Sequence, residues 1–269
     1  MSALAPHTIE AFNLSSTSEN RIHDDTVAQS LGFTGGLVPG VEVYAYACHQ
    51  PVARWGEAFL TRGEIMCRFL KPVYDGRIAT VEADETPTGL DITVKSEGVL
   101  CATGSAALPP AAKVPLLPAL LPPKPPAPEQ REPASISSLA VGRPLGIRPE
   151  TIDRDRLATY LEAVRESDPI YIREGIVHPG LLLRLCNSAL KDNVLLAPWI
   201  HTGSKVRNFA LARVGDVLTV RGKVAANYES KGHRLVDLDL TLVANDQTVV
   251  AHVLHTAIYQ LRHLAEARA

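Results

Sequence analysis

Two kinds of hydrophobic pattern alternate along this chain, and the order in which they come is repeated. Thr8–Leu14 alternates weakly between apolar and polar positions, as a first strand does. A polar loop, Ser15–Asn20, follows, and Asp24–Leu31 then carries helical spacing up to Gly32. From Val41 the run Val-Glu-Val-Tyr-Ala-Tyr-Ala-Cys-His is apolar on nearly every side, which predicts a buried helix that ends near Gly56 after an interruption at Pro51. Glu64–Leu70, Ile78–Asp84, Leu90–Glu97 and Val99–Leu108 read as strands, punctuated by Lys-Pro, Asp-Gly, Thr-Gly and Glu-Gly turn chemistry. Four strands in succession after one buried helix predict an antiparallel sheet wrapped around that helix.

The same order returns after residue 134. Asp153–Val164 has a helical pattern, Arg165–Ile172 is a polar-then-apolar loop, and His178-Pro179-Gly180 opens an apolar helix over Leu181–Leu190. Strand-like runs follow at Lys205–Leu211, Val217–Tyr228, Leu235–Val243 and Thr248–Leu261. Pro39-Gly40 and Pro179-Gly180 stand at the same place in each half, 140 residues apart. An internal duplication is a stronger fold signal than any single motif. Between the halves, Pro109–Pro133 holds half of the chain's 20 prolines. It can neither continue a helix nor donate along a ladder, so it reads as an extended connector. The expected organisation is an N-terminal unit at 1–108, a connector at 109–134 and a C-terminal unit at 135–269, related by a pseudo-twofold.

Composition narrows the function classes. The chain has 269 residues, of which 46% are hydrophobic and 21% charged, as in a globular protein with a substantial core. Aromatics make up only 5%, so Val, Leu, Ile and Ala must fill that core. A net charge of −2 without basic clusters argues against nucleic acid and against an anionic membrane surface as partner. No apolar run approaches the ~20 residues needed to span a bilayer, and the first residues lack a charged start followed by an apolar stretch. Cys48, Cys67, Cys101 and Cys186 lie far apart in apolar segments, with no CxxC pair. They are expected to be buried free thiols in a reducing cytoplasm. The histidines show no ligand spacing, so no metal and no cofactor is expected.

The densest chemistry lies in Ser18-Glu19-Asn20-Arg21-Ile22-His23-Asp24-Asp25, followed by Gly32-Phe33 and Leu37-Val38-Pro39-Gly40. These residues resemble the hydratase-2 motif of MaoC-like hotdog-fold proteins: Asp-x-Asn-Pro-x-His-x-Asp, then Gly-Phe, then an apolar pair and a glycine opening the central helix. Phe69-Leu70-Lys71-Pro72-Val73-Tyr74-Asp75-Gly76 is similar to the strand and turn that follow that helix in the family. In the second half, Glu166-Ser167-Asp168-Pro169-Ile170-Tyr171 looks like a degenerate copy of the same motif. The resemblance implies an α+β double hotdog, with two repeats each wrapping an antiparallel sheet around a central helix.

It also implies an (R)-specific enoyl-thioester hydratase or 3-hydroxyacyl-thioester dehydratase, with an acyl-CoA-type small molecule as substrate rather than cofactor. A homodimer is compatible with this architecture. His23 matches the family's catalytic histidine, and its titration range suits proton transfer. Gly40, with Val41, matches the helix opening whose N–H groups lack intrahelical partners and face a developing oxyanion. Ser18 stands where the family has its catalytic aspartate, with Glu19 one residue away and Asn20 placed to orient His23 or bond substrate. Glu166 occupies the aspartate position of the second copy, where Tyr171 replaces the histidine. Arg54, Lys71 and Arg207 are basic residues available to phosphates at a pocket mouth. Two alternatives stay open: an acyl-thioester-binding protein without turnover, and a thioesterase whose nearest acidic candidate is Glu42.

Overall fold

Alternation of inward apolar and outward polar side chains builds a single sheet, and two largely buried helices pack against it. The computed structural model describes residues 4–110, 114–117 and 124–262. The connector at 111–113 and 118–123, and His263, lie outside the described residues. The first half runs β1 (His7–Glu10), a 3-10 turn (Arg21–His23), α1 (Asp25–Ser30), α2 (Gly40–Trp55), α3 (Glu57–Arg62), β2 (Glu64–Phe69), β3 (Ile78–Thr86), β4 (Gly89–Ser96) and β5 (Val99–Ala107). The second half runs β6 (Pro144–Gly146), β7 (Glu150–Thr151), α4 (Arg154–Ala163), α5 (Ile170–Glu174), α6 (Pro179–Lys191), β8 (Ile200–Asn208), β9 (Val217–Ser230), β10 (His233–Ala244) and β11 (Thr248–Gln260).

Among the described residues the sheet has 11 strands in the order β1-β3-β4-β5-β2-β8-β11-β10-β9-β6, with β7 pairing with β9 off this path. Outward from the centre, β2-β5-β4-β3-β1 and β8-β11-β10-β9-β6 follow the same rule, so a pseudo-twofold axis passes through the β2–β8 seam. At that seam the strands are antiparallel, with Cys67 opposite Ser204 and Ile65 opposite Val206. The pattern of β10 shows how each strand was selected: Val236, Leu238, Leu240 and Leu242 point inward and are buried. Each such side chain contributes about 1.5–3 kcal/mol. Helices α2 and α6 pack on each other beneath the seam. The chain is thus a double hotdog, as the duplicated pattern and the motif resemblance predict.

Several elements differ from the expected pattern. Pro51 sits inside α2 without ending it, and Gly56, at φ 56°, supplies the left-handed residue that does. Helix α3 and the short α5 are additions. Strand β8 begins at Ile200 instead of Lys205, because the buried positions in its first half are the polar His201 and Ser204, which hide the alternation. All four cysteines are free and buried. Among the described residues no helix is long and apolar enough to cross a membrane. The end of the connector is docked: Ala134 N–H donates to Leu195 O (2.9 Å) and Leu195 N–H to Glu132 O (2.8 Å), beside the end of α6.

Candidate active site

The motif loop is held by its own short polar residues. Asp24 caps α1 by accepting from Val27 N–H (3.0 Å), and Asp25 accepts from Gly36 N–H (2.7 Å). Asn13 donates from Nδ2 to His23 O (2.8 Å), while its own N–H is held by Asp75 (2.7 Å). These bonds clamp the segment 20–25 against the turn 35–38 and leave the His23 ring between them.

Both nitrogens of His23 have defined partners. Nδ1 lies 2.6 Å from Leu37 O, and since a carbonyl only accepts, the proton is on Nδ1. Nε2 therefore carries the lone pair, 3.3 Å from Asn20 Nδ2. Burial pushes the imidazole down to about 4; the Leu37 carbonyl opposes this and the Arg184 charge adds to it. At neutral pH His23 is uncharged, with Nε2 as an acceptor for Asn20. Asn20 is clamped across the two halves, donating to Trp199 O (3.0 Å) and accepting from Trp199 N–H (3.3 Å).

The other motif residues are placed differently. Ser18 turns its hydroxyl to Asn20 O (3.3 Å). Glu19 points outward, with a side chain 72% exposed, and is paired with Arg131 (3.1 Å), which also donates to Lys191 O (2.7 Å). Among the described residues no carboxylate oxygen comes within 4.0 Å of a His23 nitrogen. Glu166 instead meets His49 Nδ1 (3.0 Å), which stacks on His7 (3.7 Å between ring centroids). Burial alone would raise Glu166, but His178, with Nε2 3.8 Å away, and the hydrogen bond from His49 outweigh it and hold the carboxyl well below the usual range. Glu42 is fully buried and paired with Arg184 of α6, and it lines neither of the cavities described below.

The two helix N-termini are no longer equivalent. At α6, His178 Nδ1 accepts from Gly180 N–H (3.0 Å), and a Cβ on Gly180 would run into the Tyr160 hydroxyl and the Ala45 methyl. That end is capped and filled. At α2 no side chain caps the helix, so the N–H groups of Gly40 and Val41 keep their positive end available. Gly40 itself packs closely: a Cβ there would meet His201 Nδ1 at 3.0 Å and the Phe69 ring at 3.2 Å.

Two cavities meet at this point. An inner one of about 220 Å³ is lined by apolar side chains such as Ile22, Leu37, Val43, Phe69 and Ile258, together with His23, Gly40 and His201. An outer one of about 680 Å³ is lined by Val41, Ser18, Glu19, Glu150, Arg131, Arg156, Arg184 and Lys191. Asn20, His23, Pro39, Asn187 and Trp199 belong to both. Lys71 lies on the inner cavity, whereas Arg54 is paired with Glu85 (2.8 Å) and Arg207 with Glu64.

Nothing in the sequence marks Asn187 or His201. Asn187 Oδ1 is buried without a partner where the cavities meet, and His201 Nδ1 is likewise unpaired. His201 Nε2 lies 3.1 Å from Gly203 O and 2.8 Å from Ser204 Oγ, and Ser204 Oγ is 2.9 Å from His255 Nδ1. The Gly203 carbonyl places the His201 proton on Nε2, so the Nδ1 lone pair faces Gly40. The signal for both residues is positional, since each enters from the second half across the seam.

No protein-family model and no curated protein matches the chain. Among solved structures, a double-hotdog protein of Mycobacterium tuberculosis is similar at a TM-score of 0.62 and 15% identity, covering 96% of this chain and 96% of that one. A protein of Chloroflexus aurantiacus named for its MaoC domain follows at 0.61 and 14%, covering 96% and 94%. A MaoC-like dehydratase matches at 0.60 and 15%, covering 95% and 98%. At such identities the likeness is one of fold, and the chain has the double-hotdog fold over nearly its whole length.

Proposed function

We propose that the protein is a hydro-lyase acting on acyl thioesters, adding water to a 2-enoyl thioester to give the (R)-3-hydroxyacyl thioester and catalysing the reverse dehydration. The observation that carries this reading is the neutral His23, its Nε2 accepting from Asn20 and its ring lining a largely apolar cavity beside the uncapped N-terminus of α2. In the hydration direction water takes the place of the Asn20 amide at Nε2, and Nε2 accepts a proton from it as the water oxygen bonds to Cβ. The π electrons move through Cα to the thioester oxygen, where the N–H groups of Gly40 and Val41 stabilise the charge. The imidazolium then returns its proton to Cα and the carbonyl reforms. One base serves both transfers, which fits a site where Ser18 stands in the family's aspartate position. Asn20 orients His23, and the apolar walls strengthen each polar interaction by excluding water.

His23→Ala should lower hydration of a short enoyl-CoA by about 10²–10⁴-fold while leaving the Kd for a saturated acyl-CoA within a few-fold. Unchanged turnover in this variant would remove His23 from the chemistry. A second reading, acyl-thioester binding without turnover, draws on the distance of every described carboxylate from His23. It predicts tight binding of saturated acyl-CoA with no detectable hydration by the unaltered protein.

A further inference from the structure

The second half closes its own helix terminus, yet one of its residues reaches across the seam to the terminus of α2. That residue is His201, whose side chain is buried and whose ring is held on several sides. Its Nε2–H is taken by Gly203 O (3.1 Å) and Ser204 Oγ (2.8 Å). Because Ser204 Oγ accepts there, its own proton goes to His255 Nδ1 (2.9 Å). The His201 and His255 rings stack with centroids 4.1 Å apart and planes at 19°, and the Phe69 ring meets His201 edge-on at 4.8 Å. Burial, with His255 adding to it, holds His201 well below its ordinary range, and burial pushes His255 down to about 3. Both rings are therefore neutral, and these contacts stay the same across the neutral pH range.

The remaining edge of His201 carries the unpaired Nδ1 and is pressed against Gly40. A Cβ on Gly40 would stand 3.0 Å from Nδ1 and 3.2 Å from the Phe69 ring, so the first residue of α2 sits in a notch between two rings without slack. No side chain caps α2, so its first turn is held at the cavity by packing and not by a hydrogen-bonded side chain. The Nδ1 lone pair also faces the positive end of the α2 dipole, which favours the neutral ring. We infer that His201 is a positioning residue: held by Ser204 and His255, it fixes Gly40 and so sets where the N–H groups of α2 lie relative to His23. The inference rests on the acyl-thioester reading above and deepens it, by giving the second half a part in the reaction. Misplacing such donors by about 1 Å costs up to about a hundredfold in rate.

His201 itself lines the inner cavity, so the decisive changes are made behind it, at Ser204 and His255, which line neither cavity. In isotope-labelled protein, Ser204→Ala should shift the amide resonances of Gly40 and Val41 and leave that of Gly180 in place. In the same variant kcat for a short enoyl-CoA should fall by about ten- to a hundredfold, while KM and the Kd for butyryl-CoA change by less than about threefold. His255→Leu breaks the same stack from further away and should reproduce both effects, which keeps the result decisive if the alanine variant folds poorly. His201→Gln, whose amide can still donate to Gly203 O, should retain more turnover than His201→Leu. Unmoved Gly40 and Val41 amides, or an unchanged kcat beside a lowered Tm, would overturn the inference, since a residue that only stabilises the fold gives that pattern. If the unaltered protein hydrates no enoyl-CoA, the hydratase reading falls, and the amide shifts alone decide whether His201 seats α2.

Discussion

His23 illustrates how a residue is tuned by what surrounds it. The Leu37 carbonyl fixes the tautomer, Asn20 meets the other nitrogen, and burial keeps the ring neutral by pushing its pKa to about 4. A base of this kind is already deprotonated across the neutral range, so kcat/KM is expected to stay flat from pH 8 to about 5 and to fall only below that. An inflection near 6.5 in the pH–rate profile would contradict this environment. The same shift has a stability counterpart. Because the folded pKa lies below the unfolded value of 6.5, the unfolded chain binds more protons between about pH 4 and 6.5, and stability falls as pH drops through that window. Between pH 6.5 and 5 the loss from His23 is about 1–2 kcal/mol. Urea denaturation at both pH values checks it, and His23→Gln should remove that part of the slope. Of this arrangement the motif residues were visible from their types and spacing. Leu37 as the partner was not, since a backbone carbonyl leaves no mark in a side-chain pattern.

The two central helices hold equivalent places in the two halves and differ at one end. α2 opens on Pro39 with no capping side chain, while α6 opens on His178, which consumes the Gly180 N–H, with Tyr160 filling the space above. Helix periodicity and the repeated Pro-Gly made both elements legible, and the capping histidine was readable as a polar residue one position before Pro179. That Tyr160 closes the second end was not legible, because it comes from α4, twenty residues upstream. Gly40→Ala forces the His201 and Phe69 rings to move and should cost about 1–3 kcal/mol in stability, together with most of the turnover. Gly180→Ala, whose Cβ would lie 2.1 Å from the Tyr160 hydroxyl and 2.7 Å from Ala45 Cβ, should destabilise by more than this but leave kcat unchanged below its lowered Tm. Thermal melts and steady-state rates on both variants separate the outcomes, and equal losses of kcat would show that the two ends still act alike.

The whole molecule is one sheet with a seam. β2 and β8 pair along it, Asn20 is bonded to the Trp199 backbone, and Glu42 is paired with Arg184, all between halves. A half on its own exposes the β2 edge and the α2 face, which together invite self-association. Residues 1–108 expressed alone should therefore run as a dimer or aggregate in size-exclusion chromatography, with less helical signal than its share of the full chain. A monomeric, cooperatively melting fragment would argue that the seam is dispensable for folding.

Periodicity and turn chemistry, acting over spans of ten to twenty residues, were enough to establish the duplication, the two buried helices and most strands, because those forces are local and each leaves its own spacing in the chain. The strand that escaped, the start of β8, did so because its buried positions there are the polar His201 and Ser204. Which residues share the candidate site depended on contacts between residues more than a hundred positions apart. Glu166 binds His49 rather than His23, Glu19 faces Arg131 across the surface, and Asn187 and His201 reach the cavity from the other half. Spacing carries no record of such meetings, since they arise only when the β2–β8 seam brings the two halves into register.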